Sequence, residues 1–74
     1  MNYRLTPVVK EVMKILRKHG FEIIRMRGDH IIVNKNPPLK RPIILVNVKK
    51  LSNAVRLNLI KESEISEEEF EGIF

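Results

Sequence analysis

The sequence predicts an α+β fold of the order α-β-β-β-α, in which helices cover one face of a three-stranded antiparallel sheet. Apolar residues recur at helical spacing near both ends of the chain, while the middle is rich in Ile and Val and is divided by Gly and Pro. A short extra helix is predicted at the C-terminus. With 74 residues, the chain is near the lower size limit for independent folding, so residues 1–74 are predicted to form a single domain.

Signals for both ends of the first helix are present in the sequence. Thr6 is a suitable N-cap, and Pro7 fits the first helical position, where its missing N–H is not needed. Gly20, directly after His19, favours a left-handed stop. Between these signals, apolar residues form one stripe: Val8, Val12, Ile15 and Leu16. We therefore expect a helix from about residue 7 to 19.

A hairpin is predicted to follow this helix. Residues 21–26 and 30–35 are rich in Ile and Val, and residues 27–29 between them have the composition of a turn. Because side chains alternate along a strand, we expect His30 on the face opposite to Ile31. The hairpin thus places a histidine immediately after a turn.

The second half of the chain is predicted to contain a third strand and a second helix. Residues 43–48 form a nearly continuous apolar run, which favours a central position in the sheet. Ser52 and Asn53 are both good N-caps, and the helical pattern that follows ends at about Ser63. These elements complete the α-β-β-β-α order.

The C-terminal segment has the signals of a short acidic helix that reaches about Ile73. Ser66 and Glu69 have the spacing of a capping box, and Ile65 and Phe70 have the spacing of a hydrophobic staple. The acidic residues are either favourably placed at a helix N-terminus or lie over the basic surface of the molecule, where they would limit loose RNA binding. Both interpretations remain open from the sequence.

The charge is distributed very unevenly along the chain. All 14 Lys and Arg residues lie in residues 1–61, which contain only three acidic residues, so this segment has a net charge of +11. Such a charge suits a polyanion such as RNA, because each neutralised phosphate releases counterions. The alternative is a solvated surface that keeps a small protein soluble.

The composition argues against several other classes of protein. There is no Cys and only two His, so we predict no metal site and no cofactor. No apolar run approaches the roughly 20 residues that span a bilayer, and the N-terminus lacks the apolar stretch of a signal peptide. The absence of Cys suits the reducing cytosol. We therefore expect a cytoplasmic protein that does not bind membranes.

His30 is the candidate catalytic residue. It lies across the predicted hairpin from Arg25 and Arg27. An imidazole among cations is suited to metal-free RNA cleavage, because it exchanges a proton with the ribose 2′-hydroxyl or the leaving oxygen while arginine holds the phosphate. Taken from the residues alone, a histidine after a turn is more often an ordinary surface residue, and that alternative stays open.

Other basic residues flank the predicted strand ends and are candidates for contacts with the phosphate backbone of RNA: Lys35, Lys40, Arg41, Lys49 and Lys50. The basic face of the first helix is either part of an RNA-binding surface or an ordinary solvated surface. His19 is explained as a cation near the C-terminus of that helix. Salt-dependent RNA affinity is the expected sign of phosphate contacts.

Two segments of the chain resemble the HicA (YcfA-like) family of mRNA-cleaving toxins. Residues 16–21 (LRKHGF) match the family's helix end of Lys/Arg-His-Gly-Phe. Residues 27–33 (RGDHIIV) match its Gly-Ser-His turn and apolar strand, with Asp29 where serine is commoner. These toxins are similar to double-stranded-RNA-binding domains and share the order α-β-β-β-α. The resemblance covers nearly the whole chain and is closest over residues 8–35.

The resemblance implies a toxin of a type II toxin–antitoxin system, an mRNA endoribonuclease whose HicB-type antitoxin covers the catalytic residue. In this sequence, the resemblance assigns the catalytic role to His30, and Gly28 and Asp29 form the turn that presents it. Where many relatives have Pro-x-His, this chain has residues 46–48 (VNV). An RNA-binding domain of the same fold without cleavage is therefore the alternative. A third hypothesis is a purely protein-binding domain that uses a sheet edge or the apolar residues 73–74.

Overall fold

The computed structural model describes residues 4–73 and confirms the predicted order α-β-β-β-α. Two helices and three strands are followed by one short 3₁₀ turn: α1 (Pro7–Lys18), β1 (Phe21–Arg27), β2 (His30–Lys35), β3 (Ile43–Val46), α2 (Asn53–Ser63) and the 3₁₀ turn (Glu67–Phe70). Within the described residues, no helix has the length and apolar character required to cross a membrane. The predicted bounds of α1, β1 and β2 agree with these to within one residue.

β2 is the central strand of the antiparallel sheet, with β1 on one side and β3 on the other. The predicted central position of the third strand is therefore wrong, and β3 ends at Val46 rather than at Val48. After Val46 the chain folds back tightly, and the Val48 N–H donates to the Val46 carbonyl over 2.9 Å. The apolar run suggested a strand covered on both sides, but Ile44 lies on the uncovered face of this edge strand, with 56% of its surface exposed.

One hydrophobic core holds the sheet and the helices together. Alternate strand residues form one side of it: Phe21, Ile31, Val33, Ile43 and Leu45. Five residues of α1 pack against this face: Val9, Val12, Met13, Ile15 and Leu16. α2 adds Leu59 to the same core. Because the buried strand residues share one face, this is the face against which α1 and Leu59 of α2 pack.

The opposite face of the sheet is not covered by a helix. We call it the open face, and its residues come from all three strands: Ile24, Arg25, Arg27, His30, Ile32, Ile44 and Val46. The predicted alternation of His30 and Ile31 is confirmed, since Ile31 is buried and His30 is exposed. The candidate catalytic residue therefore lies on the side of the sheet away from the helices.

Thr6 is the N-cap of α1 by position, but its side chain does not cap the helix. The hydroxyl donates instead to the Val48 carbonyl at 2.8 Å, and the Thr6 N–H donates to Asn47 Oδ1 at 2.9 Å. These bonds attach the start of α1 to the segment that follows β3. At the other end, Gly20 has a φ of +88°, so the predicted left-handed stop is confirmed.

α2 begins and ends where the sequence predicts. The Ser52 hydroxyl accepts a hydrogen bond from the Val55 N–H at 3.3 Å, so the predicted cap is confirmed. The helix ends at Ser63, before Glu64 adopts a left-handed conformation with a φ of 59°.

The predicted short C-terminal helix is present as a 3₁₀ turn, which ends at Phe70 rather than at about Ile73. Ser66 caps it by accepting from the Glu68 N–H at 3.2 Å. The Glu69 carboxylate, predicted to return to Ser66, binds His19 instead. A segment this short closes only i→i+3 bonds, as is usual for isolated turns. Phe70 is buried in the core and fixes the segment to the domain.

Candidate active site

His30 is the first residue of β2 and lies at the end of the sheet where the β1–β2 hairpin turns. Gly28 in this turn has a φ of +59°, a left-handed conformation that residues with a Cβ rarely adopt. The chain therefore reverses over Gly28 and Asp29, and His30 follows at once. The side chain of His30 is exposed on the open face.

Two basic residues of β1 lie beside β2 on the open face. In the strand register, Arg27 is opposite His30 and Arg25 is opposite Ile32. Residues directly opposite each other on antiparallel strands have their Cβ atoms about 5 Å apart on the same face. On its other side, His30 is paired with Val46 of β3. A row of Arg27, His30 and Val46 therefore crosses the sheet at its hairpin end.

A β-bulge determines that both arginines face outward. The pairing of β1 with β2 shifts by one residue between Ile23 and Arg25, and Ile24 is the extra residue, with 59% of its surface exposed. With regular alternation from the half-buried Ile23, both Arg25 and Arg27 would face the core. The bulge was not predicted from the sequence. Its one signal there is the adjacent pair Ile23–Ile24 ahead of an alternating Arg-Met-Arg.

The polar side chains of this row and of the neighbouring Arg25 are not engaged with the rest of the domain. Within residues 4–73, the ion pairs lie elsewhere, and no hydrogen bond is made by the side chains of Arg25, Arg27 or His30. A guanidinium binds phosphate through two parallel N–H donors, and an imidazole transfers protons near neutral pH. The row therefore brings an anion-binding group and a proton-transfer group to one exposed place.

Asn47 attaches the turn to the rest of the fold. Its backbone N–H donates to the Asp29 carbonyl at 2.7 Å, one residue before His30. Its side chain bonds to the backbone of Thr6 and of Arg4. No motif in the sequence indicated this residue, and the available signal was a single polar residue in an otherwise apolar run.

Lys49 and Lys50 lie near the same end of the sheet as His30. β3 ends at Val46, opposite His30, and the two lysines follow within four residues. Both are exposed, and both line a cavity of about 250 Å³ together with residues from the first turns of α1 and α2. Of the five predicted lysine and arginine contacts outside β1, these two follow the end of the sheet at which His30 lies.

The other three predicted phosphate contacts lie away from His30. Lys40 and Arg41 are exposed in the loop between β2 and β3, at the opposite end of the sheet. Lys35 is half-buried on the helix-covered face, with its Nζ 5.2 Å from the centre of the Phe21 ring. Lys35 is five positions along β2 from His30, a distance of about 17 Å.

His19 is also remote from His30, since it follows the last residue of α1 and precedes the start of β1. Its Nε2 lies 2.9 Å from the Glu69 carboxylate, and this contact joins the end of α1 to the 3₁₀ turn. Both side chains are partly exposed. Among the described residues, no three His, Asp or Glu side chains are grouped as a metal site requires.

One family model matches the chain over residues 9–61, well over half of its length, and its description is "HicA toxin of bacterial toxin-antitoxin". The matched segment runs from the first turn of α1 into the last turns of α2 and includes the hairpin and His30. Comparison with curated proteins and with solved structures gave no significant match.

Proposed function

The chain belongs to the HicA toxin family of bacterial toxin–antitoxin systems, and on that premise we propose that it cleaves mRNA. The proposed enzyme is a metal-independent endoribonuclease of a type II system that acts in the cytoplasm as a single domain. The observation that carries the proposal is the pairing of Arg27 with His30, which puts an exposed guanidinium beside an exposed imidazole.

His30 acts as the general acid–base in the proposed reaction. Its imidazole removes the proton of a ribose 2′-hydroxyl, and the 2′-oxygen attacks the adjacent phosphorus. The bond from phosphorus to the 5′-oxygen of the next nucleotide breaks, and that oxygen takes up the proton from the protonated His30, which returns to its neutral form. The products end in a 2′,3′-cyclic phosphate and a 5′-hydroxyl. Proton transfer by a positioned side chain contributes about 10²–10⁴-fold to the rate of such a reaction.

The basic residues near His30 hold the substrate. Arg27 binds the reacting phosphate and stabilises the negative charge that grows on it during attack. Arg25 lies two residues before Arg27 in β1, about 7 Å away, and therefore binds a different phosphate of the RNA strand. Lys49 and Lys50 extend this basic surface beyond the end of β3. The net charge of +11 on residues 1–61 favours the association with RNA in general.

The proposed protein partner is an antitoxin of the HicB type that docks on the open face. Ile24 and Ile44 are large apolar side chains with more than half of their surface exposed, and Ile32 between the edge strands is half-buried. Contiguous exposed apolar side chains are typical of protein-binding surfaces. Because His30 belongs to the same face, a protein docked there covers the catalytic group and excludes RNA.

An RNA-binding domain without cleavage is the alternative function. It is favoured by one observation, which is that Val46 lies opposite His30 on β3, so the row contains no second proton-transfer group. Binding to protein alone through the C-terminal apolar residues has less support. Ile73 is half-buried in the wall of a cavity, and Phe74 lies outside the described residues.

The test compares an mRNA fragment with DNA of the same sequence, each incubated with the wild-type protein in EDTA. We expect the RNA to be cut into products that end in a 2′,3′-cyclic phosphate. The DNA should bind but stay intact, because it has no 2′-hydroxyl. Cleavage of the DNA as well as the RNA, or cleavage of RNA that is lost when EDTA is added, contradicts the proposed mechanism. Intact RNA that binds in a salt-sensitive way would establish the RNA-binding domain instead.

A further inference from the structure

We infer that Asn47 is a positioning residue for His30, and this inference rests on the proposed function of His30 as the catalytic group. Gly28 gives the hairpin turn conformational freedom. Within residues 4–73, one hydrogen bond outside the strand pairing reaches the turn, and it runs from the Asn47 N–H to the Asp29 carbonyl over 2.7 Å. The backbone position of Asn47 therefore decides where Asp29, and His30 after it, are held.

Asn47 is itself fixed through its side chain. Oδ1 accepts a hydrogen bond from the Thr6 N–H at 2.9 Å, and Nδ2 donates to the Arg4 carbonyl at 2.7 Å. Both ends of the amide are thus bound to the backbone just before α1. These bonds also define the orientation of the amide, because an exchange of its oxygen and nitrogen would oppose donor to donor and acceptor to acceptor.

A third hydrogen bond joins the same two segments. The Thr6 hydroxyl donates to the Val48 carbonyl at 2.8 Å, which explains why it does not cap α1. α1 is anchored in the core by its five buried residues. The start of this rigid helix is therefore connected, through Asn47, to the turn that carries His30.

An amide is required at this position because the two bonds need one acceptor and one donor. Asn47→Ala loses both bonds. Asn47→Asp keeps an acceptor for the Thr6 N–H but has no donor for the Arg4 carbonyl, and it places a negative charge against that oxygen. Both variants are therefore expected to release the turn from the start of α1.

Asn34 offers a matched control within the same fold. It is also a half-buried asparagine, and its Oδ1 accepts from two backbone N–H groups, those of Lys35 at 2.9 Å and Leu39 at 2.8 Å. It lies toward the end of β2 that is remote from His30. Asn34→Ala should therefore lower the melting temperature to an extent similar to Asn47→Ala without releasing the hairpin turn.

The first experiment measures cleavage of an mRNA fragment by the wild type, Asn47→Ala, Asn47→Asp and Asn34→Ala, at a temperature where all four are folded. We expect kcat to fall about 10²-fold in both Asn47 variants with little change in KM, since a misplaced catalytic group costs about that factor. Asn34→Ala should keep the wild-type kcat. Equal kcat values for Asn47→Ala and Asn34→Ala would overturn the inference.

The second experiment does not depend on cleavage. Amide hydrogen exchange and backbone NMR relaxation report the order of residues 28–30 in each variant. We expect faster exchange and larger motion at these residues in Asn47→Ala, and wild-type behaviour in Asn34→Ala. A turn that stays ordered in Asn47→Ala overturns the inference even if the wild type cleaves RNA. A loosened turn in a protein without cleavage supports the positioning of His30 by Asn47 and refutes the proposed function alone.

Discussion

Arg27 and His30 are direct partners across the β1–β2 hairpin, and both side chains are exposed on the face of the sheet that the helices leave uncovered. This relationship depends on the bulge at Ile24, which reverses the alternation of β1 before Arg27 is reached. The hairpin end of the sheet therefore combines a fixed backbone with unengaged polar side chains. That combination is expected of a site that binds and cleaves a phosphodiester.

Replacement of Arg27 tests the role of the guanidinium. In Arg27→Ala we expect the single-turnover rate of RNA cleavage to fall by about 10²-fold, because a donor to the developing charge is removed. Arg41→Ala removes the same charge at the far end of the sheet and should keep the wild-type rate. Equal rates for the two variants would show that Arg27 contributes only to the overall charge.

The two groups of basic residues should differ in their effect on RNA binding. Lys49→Ala combined with Lys50→Ala removes the cations that follow β3 at the His30 end of the sheet, and we expect the slope of log affinity against log salt to become shallower by about one for each phosphate that is no longer neutralised. Lys40→Ala combined with Arg41→Ala should leave the slope of log affinity against log salt close to that of the wild type. Binding titrations at several salt concentrations measure this. A larger decrease from the second pair would place the RNA on the other end of the sheet.

The C-terminal segment is expected to be held by Phe70 rather than by the ion pair of Glu69 with His19. Phe70 is only 1% exposed, and truncation of a buried phenylalanine costs about 3–5 kcal/mol. The Glu69 and His19 side chains are 39% and 38% exposed, so solvent screening limits their pair to about 0.2–1 kcal/mol. Urea denaturation of Phe70→Ala and Glu69→Ala compares the two. Similar losses of unfolding free energy in the two variants would contradict the larger contribution expected of Phe70.

The sequence predicted those features that depend on neighbouring residues. The Pro7 start of α1, its stop at Gly20 and the Ser52 cap of α2 follow from local backbone chemistry. The turn before His30 was predicted for the same reason. Local patterns carry this information because the hydrogen bonds involved close within a few residues.

Features that depend on distant contacts were not predicted. The apolar run of β3 does not reveal that Ile44 lies on an uncovered face at the edge of the sheet. The amide of Asn47 bonds to residues more than 40 positions earlier in the chain. Glu69 has the spacing of a capping box, yet its carboxylate binds His19, 50 residues away. In each case a tertiary partner outweighs the local preference.

The proposed role of His30 is tested most directly by RNA cleavage with His30→Ala in EDTA, with His19→Ala as the matched histidine control and RNA affinity measured in parallel. We predict that His30→Ala binds RNA with nearly wild-type affinity and cleaves it at least about 10²-fold more slowly, the lower bound for a general acid–base. His19→Ala should cleave at the wild-type rate. Undiminished cleavage by His30→Ala would contradict the assignment of the catalytic group and, with it, the proposed mechanism.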